Sequence, residues 1–180
     1  MDSTSPRAAP LEAAAVLPLA DLHAWLWYQY KHWCSWAAER DAAWLSLPTG
    51  NPTLPTLSRL FGHAFTPLHR FADQVLGVEP LSPPDLSSAD WPTLLAWAEC
   101  CLARHREACR AALHSDPASI VSLTTRTAGI LQVRVNHGLA HAATHCVWHL
   151  GGIAHLLRAA GIEPPQRSDM LFWAAEQLEG

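Results

Sequence analysis

The chain has 180 residues, 49% of them apolar and 16% charged, which excludes a disordered chain and allows one compact domain burying roughly 70% of its unfolded-state surface. Twelve basic and sixteen acidic side chains leave a net charge of −4, with no stripe of Lys and Arg for phosphate contacts, so nucleic acid is not an expected partner. No apolar run reaches the ~18 residues of a spanning helix, and Asp2 and Glu12 interrupt any secretory leader, so no membrane partner is expected and the location is cytoplasmic. The five cysteines (34, 100, 101, 109 and 146) are odd in number and lack CxxC spacing, which fits a reducing compartment rather than a disulfide framework or a thiolate zinc knuckle.

Residues 1–12, MDSTSPRAAPLE, have no periodicity and are expected to be a flexible segment ahead of a single domain over residues 13–180. From Pro18 to about Leu45 the pattern is helical, with Leu22, Trp25, Gln29, His32, Trp33 and Trp36 on one face and Trp27, Tyr30 and Cys34 on another. LPTGNPTLP (47–55) reverses the chain, and a second helix spans about Leu54 to Leu76, stopped by Gly77. VEPLSPPDLSSAD (78–90) is a Pro/Ser linker, after which Trp91-Pro92 opens a third helix to about His114. The β-branched stretch 119–135, broken at Thr127-Ala128-Gly129, predicts a short irregular hairpin. A fourth helix runs from about Asn136 to Ala160 and ends at Gly161 before Pro164-Pro165. A short closing helix over 168–179 is capped by Ser168 or Asp169. Four long helices with short connections predict an all-α antiparallel four-helix bundle.

HGLAHAATHCVWHLGG (137–152) places histidines at 137, 141, 145 and 149. Steps of four advance a helix by about 400°, so adjacent rings are offset by about 40° and can grip one ion, whereas the first and last diverge by about 120°. One adjacent pair is therefore half a site, and a third donor must come from elsewhere. The second helix offers His63 and His69, which are six residues apart and point to different sides. His63 sits among Leu60, Phe61, Ala64 and Phe65, and Pro67 brings no N–H to its carbonyl, so a kink is expected beside it. His69 adjoins Arg70, and His105 and His114 keep company with Arg104, Arg106 and Arg110, so these three are expected at the surface. His155 is expected to face away from the ladder, and Cys146, rotated about 100° from His145, is not a ligand.

The last third, HCVWHLGGIAHLLRAAGIEPPQRSDMLFW, together with LSRLFGHAF in the second helix, resembles the DinB/YfiT-like family of metal-binding four-helix bundles over most of the chain. His145 and His149 match the family's two histidines on the long C-terminal helix. Leu157-Arg158, Gly161, Pro164-Pro165 and Asp169 match the markers that follow, and His63 matches the first ligand. The resemblance thus implies a DinB-like bundle with His63, His145 and His149 around a metal, and with His141 as a neighbour of the ligands rather than one of them. Where the family carries Arg and Gln after the second ligand, this chain has Leu150 and Gly152. The absent Gln implies a roomier, less polar pocket, and Gly151-Gly152 is expected to recover its cost in helix stability through close packing.

Three imidazoles favour zinc or nickel, with iron and copper also accommodated, and leave a coordination position open. Such a centre can ionise water for hydrolysis or hold a thiol as thiolate for transfer to an electrophile. The resemblance favours the latter, with a low-molecular-weight thiol as co-substrate and a small molecule as the acceptor, in a homodimer whose interface involves the aromatic first helix. The alternative is a non-catalytic, stress-related protein with a structural or sensory metal; haem ligation has no supporting motif. Arg70, seven residues after His63, is a candidate for receiving an anionic group, and Trp148 and Gly152 are candidates for the pocket wall. No triad spacing, phosphate loop or carboxylate pair offers a competing chemistry.

Overall fold

The computed structural model describes residues 18–86, 88–116, 118–125, 128–166 and 168–179; the expected flexible segment 1–12 and Thr127 lie outside them. The described chain forms helices α1 (Leu19–Ala38), α2 (Leu57–Val75) and α3 (Trp91–Leu113), a hairpin of β1 (Ile120–Thr125) and β2 (Gly129–Arg134), then α4 (Val135–Ala159) and α5 (Met170–Glu179). It is the expected helical bundle, with α2 packed against both α3 and α4. No described helix is long and apolar enough to cross a membrane, and all five cysteines are free thiols.

The first helix ends at Ala38, earlier than its apolar pattern suggests, and Ala42–Ser46 form a separate 3-10 turn. Asp41 is the cause: its side chain accepts from Ala43 N at 2.9 Å and so caps a new turn instead of extending the old one. The turn carries Trp44 to Trp36 and Trp91, with ring centroids 5.1 and 5.2 Å away, both edge-to-face. Phe61 of α2 meets Trp91 edge-on at 4.9 Å, and these rings close one end of the bundle. Most of the tryptophans are thus core or core-flanking, and Trp148 is 72% exposed.

Thr56 and Asp90 cap α2 and α3, accepting from Arg59 N and Thr93 N. α2 runs through Pro67 without a break. The hairpin is regular, pairing Ile120 with Arg134 through Thr125 with Gly129. It docks on the bundle through Leu123, which lies over Gly138, and through Thr124 N, which donates to Gln74 Oε1 at 2.7 Å. A Cβ on Gly138 would come within 2.7 Å of Leu123 Cδ1, so a larger residue there would require the Leu123 side chain to shift. Trp25 Nε1 and Trp36 Nε1 donate to the carbonyls of Ser168 and Glu163, which ties the C-terminal segment to α1.

The linker before α3 is fixed rather than loose. Leu86 is buried and lies against Gly62, where an added Cβ would come within 2.3 Å of its Cδ1. The Ser58 hydroxyl reaches the Leu86 and Ala89 carbonyls at 3.2 Å, and Leu81 N donates to Asp73 Oδ2 at 3.0 Å. Linker and hairpin thereby become walls on either side of α2.

Two of the three histidines expected at the surface are buried. His105 is fully enclosed: its Nδ1 is 3.0 Å from His23 Nδ1 and its Nε2 3.2 Å from the Leu139 carbonyl. His69 stacks on Trp97 with centroids 5.6 Å apart, its Nδ1 2.9 Å from Asp73 Oδ2 without hydrogen-bond alignment. His114 is exposed. Burial, then the His105 and nearby Arg106 and Arg110 charges, push His23 down to about 4; burial pushes His105 down to about 4 against its bond to Leu139. Unfolding restores values near 6.5, so the unfolded chain takes up protons first as the pH falls. The stability these rings contribute is complete above about pH 6.5 and is lost down to about pH 4, on the order of a few kcal/mol in all. Urea midpoints of metal-free protein should fall steadily from pH 7 to 4.5; a flat profile contradicts the buried neutral pair.

The expected close packing at Gly151-Gly152 is absent. Both residues are exposed, and a Cβ on either would meet no atom within 4 Å. Gly151→Ala and Gly152→Ala should therefore each stabilise the protein by about 0.5–1 kcal/mol, read from urea denaturation.

Candidate metal centre

His63 on α2 and His145 and His149 on α4 each offer a ring nitrogen, and the three atoms lie within 4.8 Å of one another. Ring centroids are 5.3 Å apart for His63 and His145, 4.9 Å for His63 and His149, and 4.4 Å for His145 and His149. The three are partly buried, and they are the one cluster of at least three potential ligands among the described residues. The two α4 rings share a face because they are one turn apart; the α2 ring reaches them because α2 packs directly on α4.

The donor set fits a metal ion. His145 Nε2 and His149 Nε2 are 3.2 Å apart. Two nitrogens bound tetrahedrally at ~2.0–2.1 Å from zinc would be separated by roughly 3.3 Å. The His63 nitrogen must close by at most about 1.5 Å to complete such a set, within the reach of side-chain torsions. Burial, then the neighbouring His149 and His141 and the Arg70 charge, push His145 down to about 4, although the Ala64 carbonyl opposes the shift. Burial and then His63 push His149 down to about 4. Both rings are thus neutral at pH 7, the form that coordinates metal.

The sequence as a whole matches a described family. The DinB family model matches residues 22–178. The chain belongs to the DinB family. No curated protein matches it, so membership of this family is what similarity to known proteins establishes. In this DinB-family chain the second and fourth helices supply the three histidines that converge.

Two cavities border the cluster. The larger, of about 520 Å³, is lined by His63 and His145 along with Arg59, Arg70 and Phe71 of α2, Leu86 of the linker and Leu131 of the hairpin. The smaller, of about 490 Å³, is lined by His149 with Trp148, Gly152, Leu60 and Leu156. His141 is exposed, lines the larger cavity, and has its ring centroid 6.2 Å from that of His145, outside the three-ring cluster. Gly152 does lie beside His149, and the space that a longer side chain there would occupy is open. Trp148 has its ring 4.8 Å from that of His149. Cys146 points into the core, where burial pushes its thiol up, and His155 is exposed.

Sequence reasoning missed Arg59, four residues before His63 and on its side of α2, which the same helical spacing would have found. It also missed the linker and hairpin walls, which carry no periodic signal.

Proposed function

We propose that this DinB-family protein is a metal-dependent transferase acting on two small molecules, with His63, His145 and His149 holding a zinc or nickel ion. The observation that carries the reading is the placement of the cluster between two cavities: His63 and His145 open on one, and His149 on the other. An ion held by all three is accessible from both sides, which suits transfer between two bound partners better than hydrolysis of one. When bound, such an ion supplies Lewis acidity, holding a thiol or water in its ionised form near neutral pH. The chain's own residues orient the two partners and exclude water: Arg59 and Arg70 on one side, Trp148 and Leu156 on the other.

A low-molecular-weight thiol is the proposed nucleophile, because three neutral nitrogen donors leave room for a soft anionic ligand. The proposed setting is the cytoplasm, as a homodimer, and light scattering of the purified protein reads the oligomeric state. The open space at Gly152 favours a second reading, a non-catalytic metal-binding or sensory protein involved in stress responses, since a wall residue that could handle a proton is missing there. A thiol-transfer screen against chlorinated aromatics and epoxides decides between them. Metal-dependent turnover that disappears in His149→Ala supports the transferase; equal rates in the two proteins contradict it.

A further inference from the structure

The larger cavity is charged in the opposite sense to the chain as a whole. The protein carries a net charge of −4, yet Arg59 and Arg70 both line this cavity and, among the described residues, no Asp or Glu does. Arg59 already answers a carboxylate outside the lining, its Nη1 3.5 Å from Asp85 Oδ1. Arg70 is partly buried, with its guanidinium 5.1 Å from the Phe71 ring centroid. It follows His63 by seven residues, so both stand on one face of α2, about two turns apart. Helical side chains lean toward the helix N-terminus, the direction in which His63 lies from Arg70. About half of the lining is apolar, including Pro67, Phe71, Leu86 and Leu131, and the other half is supplied by the arginines, the histidines and three threonines. A volume of about 520 Å³ suits a small ligand, which the charged and polar groups orient while the apolar side chains cover its body.

We infer that this cavity selects a small organic anion with an apolar body, its carboxylate received by Arg70 and its reacting end placed at His63 and His145. The inference rests on the metal-centre reading for what happens at the reacting end; recognition of the anion belongs to Arg70. A cationic ligand is disfavoured by both arginines, and a neutral one forgoes the charge-assisted hydrogen bonds that a carboxylate makes to a guanidinium. The linker and hairpin walls then bury the apolar part of the ligand.

The test is calorimetric titration with hydrocinnamate and with its uncharged amide, on protein supplied with zinc and on His63→Ala. Saturable binding of hydrocinnamate is expected in the millimolar range or tighter, with the amide weaker by about tenfold or more. Arg70→Gln should lose about tenfold in hydrocinnamate affinity, and Arg70→Lys should keep part of it. Leu131→Trp, at a 42% exposed position on the hairpin wall, should weaken binding by obstruction without touching the charge. The inference is overturned if hydrocinnamate shows no saturable binding up to about 10 mM, if acid and amide bind alike, or if Arg70→Gln and Leu131→Trp both bind as the parent does. Zinc uptake measured on the same samples separates the two readings. Arg70-dependent binding without zinc uptake removes the metal centre alone, whereas zinc uptake without anion binding removes this inference alone.

Discussion

His149→Ala lowers the zinc affinity of the protein by about 100-fold or more, on the order of 3 kcal/mol, in competition against a chromophoric chelator. The expectation follows from ligand count. With three imidazoles a four-coordinate ion keeps one open position, whereas two leave it half-solvated and weakly held. His145→Ala and His63→Ala should give losses of the same order. His141→Ala should change the affinity by only a few-fold, because its ring lies 6.2 Å from that of His145 and outside the cluster. The comparison is informative because His141 and His149 stand in the same ladder, each four residues from His145. If the two alanine variants lose zinc equally, the wrong pair has been assigned to the ion.

The largest loss of stability is expected at a residue outside the site. Asp73 is 1% exposed, yet its carboxylate receives Arg104 Nε at 2.6 Å and Leu81 N at 3.0 Å, with His69 Nδ1 at 2.9 Å. Burial raises its pKa, but Arg104, the Leu81 N–H and the charge at His69 together outweigh burial and hold it below the usual carboxylate value. Asp73→Ala removes the shared partner of α2, α3 and the linker, and should cost about 2–4 kcal/mol, less than a fully enclosed pair because Arg104 is partly exposed. The melting temperature should fall by roughly 5–15 °C. Asp73→Asn keeps an acceptor for Arg104 and should lose less. Because the folded-state pKa is depressed, the contribution of Asp73 is present above the unfolded carboxylate value near 3.9 and is lost as the pH falls below it. Equal melting temperatures for wild type and Asp73→Ala would contradict this role.

Most of the bundle was legible because its helices carry strong local signals. Gly77, Trp91-Pro92 and Gly161 mark boundaries that the structure keeps to within a few residues, and the spacing of His145 and His149 already demanded one helix face. The third histidine was less legible: His63 is a single polar residue in an apolar helix, and only resemblance or a fold brings it to α4. The buried His105 was misread from its sequence neighbours, Arg104 and Arg106. Its neighbours on the helix face are Cys101, Leu102 and Cys109, all buried, and that periodicity was available. The end of α1 was hidden because Ala42 to Leu45 continue the apolar pattern past a cap that only Asp41 reveals. The linker read as Pro/Ser spacer still contains Leu86, whose place over Gly62 depends on a non-local approach with no sequence period. Gly151-Gly152 suggested close helix packing, but the space beside both is open, so the missing side chain at 152 shapes the smaller cavity instead.

The central claim is that three imidazole nitrogens from two helices share one ion. X-ray absorption of protein purified without a histidine tag and loaded with zinc tests it most directly. The account predicts one tightly held zinc per chain, with a nitrogen shell at ~2.0–2.1 Å, multiple scattering from three imidazoles and loss of that signature in His63→Ala. Failure to retain zinc, a sulfur shell at ~2.3 Å, or an unchanged spectrum in His63→Ala would contradict it.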